Sequence, residues 1–196
     1  MKSWLLAVGL AGIFALPVVA ADSGTWQFDA NHSDAHFSVK HMGITIVPGD
    51  FPKLSGTAQI DDQDISKSTV TATIDVATLT TRVERRDNDL RSPNWFDVAK
   101  YPTMTFQSTK IVKTGDGTAK MTGNLTIHGV TKEVTFDVTG LTSPITTPQG
   151  MHRGVSASTK IDRREFGVGT DSPVVGNDVN IDLYMDLVIP TPKPAQ

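Results

Sequence analysis

Apolar and polar residues alternate with a period of two along most of this chain, and that rhythm limits the fold more than any other feature. From Leu54, the residues Leu54, Gly56, Ala58 and Ile60 fall on one side, and Ser55, Thr57, Gln59 and Asp61 on the other. From Val70, the apolar set is Val70, Ala72, Ile74 and Val76, against Thr69, Thr71, Thr73 and Asp75. The same pattern runs through Met104 and Phe106, through Ala119, Met121, Gly123, Leu125 and Ile127, and through Val130, Val134, Phe136 and Val138. It returns at Val155, Ala157 and Ile161, then at Val179, Ile181, Leu183, Met185 and Leu187. Successive side chains of a strand point to opposite faces, so each run predicts a strand with one apolar face. With further strands around Trp26–Phe28, Phe37–Val39 and Ile44–Val47, roughly eight to ten are expected.

Short turn signals separate the runs, at Gly115-Asp116-Gly117, His128-Gly129 and the stretch from Pro144 to Gly150. Long strands joined by short turns predict an all-β antiparallel meander. Closing it into a barrel of about eight strands removes exposed edges. Residues 78–97 break the rhythm, and Val83, Arg86, Asp87 and Leu90 stand at helical spacing. A short helix stopped by Pro93 is expected there.

The ends read differently from the middle. Lys2, the apolar run from Trp4 to Leu16 and the small residues before Ala20 have the layout of a signal peptide over residues 1–20, with no membrane anchor after its cleavage. That predicts export to the periplasm. The barrel domain is expected over residues 21–189, followed by a Pro-rich tail over 190–196 that cannot join a central strand. The chain has no Cys, so burial and strand pairing must hold it without disulfides. A net charge of −3 leaves no electrostatic footprint for nucleic acid.

Alternation alone does not say which face is inside. The two strands from Leu54 to Val76 contain no aromatic residue, whereas a barrel in an outer membrane carries aromatic girdles. An apolar interior with a solvated threonine-rich exterior is therefore expected. Gly56, Ala58, Ala72, Ala119, Gly123 and Ala157 fall on the apolar faces. An eight-stranded barrel is just wide enough to be filled by side chains or to hold one ligand, and composition leaves both solutions open.

Chemistry is sparse. His32, His36 and His41 lie close in sequence, but strand parity sends His36 and His41 to opposite faces, and His128 and His152 stand alone in turn-like settings. No metal site and no cofactor are expected from them. There is no Gly-x-Ser-x-Gly elbow and no phosphate-binding glycine loop, and no pair of carboxylates is set for acid–base work. The charged stretch "RRDNDLRSPNWF" is balanced: Arg82, Arg85, Arg86 and Arg91 meet Glu84, Asp87 and Asp89. At helical spacing these predict surface pairs worth a few tenths of a kcal/mol each, about 0.2–0.5.

The run "RRDNDLRSPNWFDVAKYPTMTFQST", together with "FDANHSDAHFSVKHMGI", "LTIHGVTKEVTF" and "DRREFGV", resembles the YceI-like family of secreted polyisoprenoid-binding proteins. The anchors occur in the same order from Trp26 to Leu187. One departure is visible: Asn94-Trp95-Phe96-Asp97 stands where the family has an acidic residue and two Phe before the Asp. The resemblance implies a lipocalin-like barrel with an apolar tunnel, a helical segment near one end and a bound isoprenoid or other long-chain lipid. It also implies a periplasmic home and, in some members, a homodimer.

The expected function is therefore a lipid-binding module, not an enzyme. Its tunnel is expected to be lined by Phe37, Val39, Ala58, Ile60, Ala72, Ile74, Met104, Phe106, Met121, Leu125, Phe136, Val155, Phe166, Leu183 and Met185. Leu90, Trp95 and Phe96 are assigned to the mouth, and Arg86 to a headgroup. The rival readings are an enzyme on a lipid-like substrate, which needs an inward polar pair, and an adaptor barrel with a packed core.

Overall fold

The alternating segments pair into one antiparallel ladder that closes on itself. The structure, a computed structural model, describes residues 24–191. The expected signal segment lies outside the described residues. In chain order the strands are β1 (Thr25–Phe28), β2 (Asp34–His41), β3 (Thr45–Phe51), β4 (Leu54–Gln59) and β5 (Thr69–Asp75). The helix α1 (Glu84–Arg91) follows, then β6 (Thr103–Gly115), β7 (Thr118–Ile127), β8 (Val130–Thr139), β9 (Ile145–Thr147), β10 (Gly150–Asp162) and β11 (Val175–Pro190).

These eleven strands build eight staves. β1 and β2 lie in succession along one edge of β11, with Phe28 opposite Leu187 and Ala35 opposite Leu183. β3 and β4 lie in the same way along β2 and β1. Each of those two pairs is one interrupted stave, and β9 is a short flap on β10. The remaining neighbours run β4, β5, β6, β7, β8, β10, β11, and β11 closes the ring against β1. The result is an all-β, antiparallel, eight-stave closed barrel with one short helix, as the alternation predicts.

Both interruptions have local causes. Asp29 accepts a hydrogen bond at Oδ1 from the Asn31 N–H (2.8 Å), an Asx turn that lifts residues 29–33 out of the ladder. Pro52 lacks the N–H that a ladder needs, and β3 ends at Phe51 beside it. Pro190 stays in the ladder, ending β11 opposite Gly150, and the Thr191 N–H donates to the Gln149 carbonyl (3.0 Å). The tail expected from residue 190 therefore begins later, because a terminal strand position needs no onward donor.

The apolar faces point inward. Met121, Leu125, Phe136 and Met185 are buried, while threonines line the exterior in cross-strand pairs. Thr57 with Thr71 (3.0 Å), Thr122 with Thr135 (2.8 Å) and Thr126 with Thr131 (2.8 Å) are hydroxyl pairs of the kind that support a sheet's solvated face. No helix among the described residues is long and apolar enough to cross a membrane.

The helix is shorter than residues 78–97, and its charges behave differently from the expected surface pairs. Asp87 is buried and accepts from the Thr81 N–H (2.7 Å), the Thr81 hydroxyl and the Thr80 hydroxyl (3.2 Å). Arg86 donates from Nε to Thr81 Oγ1 (2.7 Å) and from Nη2 to the Thr81 carbonyl (2.9 Å). Arg91 donates from Nε to the Ala77 carbonyl (3.0 Å) and from Nη2 to the Leu79 carbonyl, and Arg82 pairs with Asp50 on β3 (3.5 Å). Among the described residues none of these charges pairs with another on the helix. They tie it to the segment that leads out of β5, where Thr80 exchanges two backbone hydrogen bonds with Asp50 (2.8 and 3.0 Å).

Candidate ligand-binding site

The small inward residues do two different jobs. A Cβ on Gly56 would lie 2.8 Å from the Phe28 ring, one on Gly123 2.5 Å from the Phe106 ring, and one on Gly49 closer still to the Phe37 ring. These glycines seat aromatic rings flat against the barrel wall, and do not themselves open space. The space is left instead where rings stop, over Ala72 and Ala157.

The barrel is hollow there. A cavity of about 340 Å³ runs from the α1 end towards the middle, lined almost wholly by apolar side chains. Packed interiors hold few voids larger than a water molecule, and ligand sites begin at about 300 Å³. The packed-core alternative left open by composition does not describe this half of the molecule.

The cavity wall holds Phe37 and Val39 of β2, Ala72 and Ile74 of β5, Met104 and Phe106 of β6, Met121 and Leu125 of β7, Phe136 of β8, and Leu183 and Met185 of β11, with Phe166 from the turn after β10. Arg86, Leu90, Trp95 and Phe96 line it at the α1 end. Ala58, Ile60 and Val155 do not reach it. They line a separate void of about 50 Å³ towards the other end, and Phe28, Met121 and Met185 border both spaces.

Several lining residues were not legible from alternation. Phe51 sits at a strand end beside Pro52, and Arg163 and Val168 belong to irregular chain, whereas Leu54 and Val70 already stand in the alternating apolar sets. Parity did hold a signal for Ala35, Ile127, Val179 and Ile181, which share faces with assigned residues.

The mouth is assembled from aromatic contacts. Phe96 meets Phe51 edge-on, with centroids 5.8 Å apart, and Phe51 in turn lies 5.4 Å from Phe37. Trp95 donates from Nε1 to Asp89 Oδ2 (3.0 Å), which fixes its ring. Arg163 lies beneath it, buried, with its guanidinium carbon 5.3 Å from the Trp95 ring centroid. Burial pulls the Arg163 guanidinium below its ordinary range, and its hydrogen bonds go to the neutral carbonyls of Gly176, Val168 and Val175 and to Asn177 Oδ1. No carboxylate is hydrogen-bonded to Arg163 or Arg86 among the described residues. The mouth therefore sets two cations, Arg86 and Arg163, and one carboxylate, Asp89, around an apolar bore.

Polar pairs of the kind an enzyme would use are not found inside, among the described residues. His36 bonds Asp50 (2.5 Å), but both alternate with the inward Ala35, Phe37 and Phe51, so the pair lies on the outer face. The sequence placed His152 alone in a turn. It instead stands within β10 and reaches Asp186 of β11 (2.9 Å).

Comparisons with known proteins agree with this architecture. A UPF0312 protein of Vibrio parahaemolyticus is 32% identical over 189 residues, covering 95% of this chain and 97% of that protein. The crystal structure of Burkholderia cenocepacia BcnA superposes with a TM-score of 0.73 at 26% identity, over 81% of this chain and 98% of that one. A polyisoprenoid-binding domain from Saccharophagus degradans shares the fold, with a TM-score of 0.63 at 16% identity, over 84% and 98% of the two chains. Residues 26–187 match the YceI-like domain, and the chain belongs to that family.

Proposed function

We propose that this protein is a periplasmic carrier of a long-chain amphiphile, with an isoprenoid as the favoured tail, and that it acts by binding without catalysis or a prosthetic group. The observation that carries this reading is the apolar cavity of about 340 Å³ that reaches a mouth edged by Arg86 and Trp95. Each CH₂ moved from water into such a bore contributes about 0.8 kcal/mol, so a tail binds tightly without polar contacts along its length. The Saccharophagus domain, a polyisoprenoid-binding one on the same fold, supports this tail class. Arg86 spends Nε and Nη2 on Thr81, and its Nη1 has no hydrogen bond among the described residues, which suits a phosphate or other acceptor headgroup.

The test is native mass spectrometry of protein purified gently from the periplasm, followed by solvent extraction. A stoichiometric long-chain adduct is expected, with a chemistry that names the headgroup. A bare mass that stays unchanged after incubation with isoprenoids overturns the reading.

A further inference from the structure

A second group of side chains lies away from the cavity, on the outer face where the stave β1–β2 breaks. One donor atom each from Asp29, His32 and Asp186 comes within 4.8 Å of the others. His32 Nδ1 is 3.0 Å from Asp29 Oδ2, and His152 Nδ1 is 2.9 Å from Asp186 Oδ2. Two ligands of a tetrahedral ion with bonds of about 2.0–2.1 Å stand roughly 3.3 Å apart, so small rotations bring these donors to that spacing.

The backbone is built to keep them together. The Asp29 N–H donates to the Asp186 carbonyl (2.8 Å), and Ser33 Oγ accepts from the Asp186 N–H (3.2 Å). Asp29 uses Oδ1 on the Asn31 N–H and so turns Oδ2 towards His32. Gly154 stands opposite Asp186 in the ladder, and a Cβ there would meet nothing within 4 Å, so the space beside the carboxylate is open.

Charge favours a cation. Neither Asp29 nor Asp186 pairs with a Lys or Arg among the described residues. A second His–Asp group, Asp34, His36 and Asp50, differs in that respect. Arg82 already pairs with Asp50, and His36 turns one ring nitrogen to each carboxylate, so that group is satisfied as an ion-pair network.

We propose that Asp29, His32 and Asp186 bind a divalent transition-metal ion of the zinc class at the barrel's surface, with His152 holding the Asp186 carboxylate in place. An imidazole with two carboxylates is a donor set for such ions, and the exposed His32 leaves the remaining positions to water. The ion clasps the loop at residues 29–33 to β11, across the seam between the first stave and the last.

The experiment is a calorimetric titration of zinc chloride into untagged, EDTA-treated protein, paired with melting curves with and without zinc. One equivalent is expected to bind, with a rise in melting temperature. His32→Ala and Asp186→Asn are each expected to weaken binding at least tenfold, and His152→Ala about 10–100-fold, the range for partners that orient a ligand. His32 is 69% exposed at its side chain, so its alanine variant keeps the fold and decides the matter even where Asp186→Asn does not fold. No binding by the wild-type chain, or undiminished binding by His32→Ala, overturns the proposal.

Discussion

The Arg163 guanidinium lies 5.3 Å from the centre of the Trp95 ring, and Gly169 packs beside both, since a Cβ added there would fall 2.5 Å from Trp95 Cζ3 and 3.0 Å from Arg163 Nη1. This contact joins the segment after α1 to the chain that leads into β11, and so closes one side of the mouth. Among the described residues no carboxylate is hydrogen-bonded to this cation, which is held by four neutral acceptors. Replacing Arg163 therefore removes the ring's support and strands buried carbonyls together.

Arg163→Met is expected to destabilise the fold by at least about 2 kcal/mol, since hydrogen bonds to a charged group are worth about 1.5–3 kcal/mol and buried carbonyls lose their partner. Urea unfolding of the two proteins checks it. A loss below half a kilocalorie would mean that water replaces the guanidinium without cost and that the site is less closed than the contacts indicate.

Ala72→Phe is expected to block the bore. Ala72 stands between Gly56 and Phe106 in the ladder and faces the large cavity, so a ring there takes up part of the tail's volume. Uptake of radiolabelled geranylgeraniol should fall at least tenfold while the circular-dichroism spectrum is kept. Ala58→Phe makes the contrast. Its void is only about 50 Å³, so the ring overpacks it at a cost of roughly 1–3 kcal/mol, and the loss appears in stability first.

That contrast marks where sequence and structure part company. Period-two parity places Ala58 and Ala72 on equal terms, because both face inward on neighbouring strands. What separates them is depth along the barrel, with Ala72 facing the large cavity and Ala58 the small void, and parity carries no information on depth. The barrel and the helix near residue 84 were legible, since each rests on local spacing or on motifs carried by the resemblance. The charged residues of α1 were read as surface pairs for the same local reason. Thr80 and Thr81 give Asp87 and Arg86 better partners, and only the return of the chain after β5 brings those partners into reach.

Acid should loosen the helix before the barrel. Burial pushes the Asp87 carboxyl up, but hydrogen bonds from Thr81 and Thr80 outweigh it, and the net displacement is downward from 3.8. A depressed carboxyl stabilises the fold fully above its unfolded value and loses that contribution as pH falls through the folded one. Asp87→Ala is expected to cost about 1.5–3 kcal/mol at neutral pH. The difference between wild type and variant should stay constant above about pH 5 and shrink below about 3.8, which urea midpoints measured against pH will show. A constant gap down to about pH 2 would mean that Asp87 acts through packing and not through its charge.

The two tryptophans of the described residues sit at opposite ends and can report which way a ligand enters. Trp95 lines the large cavity and bonds Asp89, whereas Trp26 is buried under the Arg153 guanidinium, 5.2 Å from its carbon, and lines neither void. Arg153 is itself held by Asp62 (2.8 Å), so that end is plugged by an ion pair over an aromatic ring. Entry past α1 must displace water around the Trp95 indole, while the Trp26 surroundings stay unchanged. Fluorescence should therefore change on adding an isoprenoid, persist in Trp26→Phe and vanish in Trp95→Phe even though binding by mass spectrometry continues. A signal that instead follows Trp26 would place the entrance at the Arg153 end and require that the Asp62 ion pair opens.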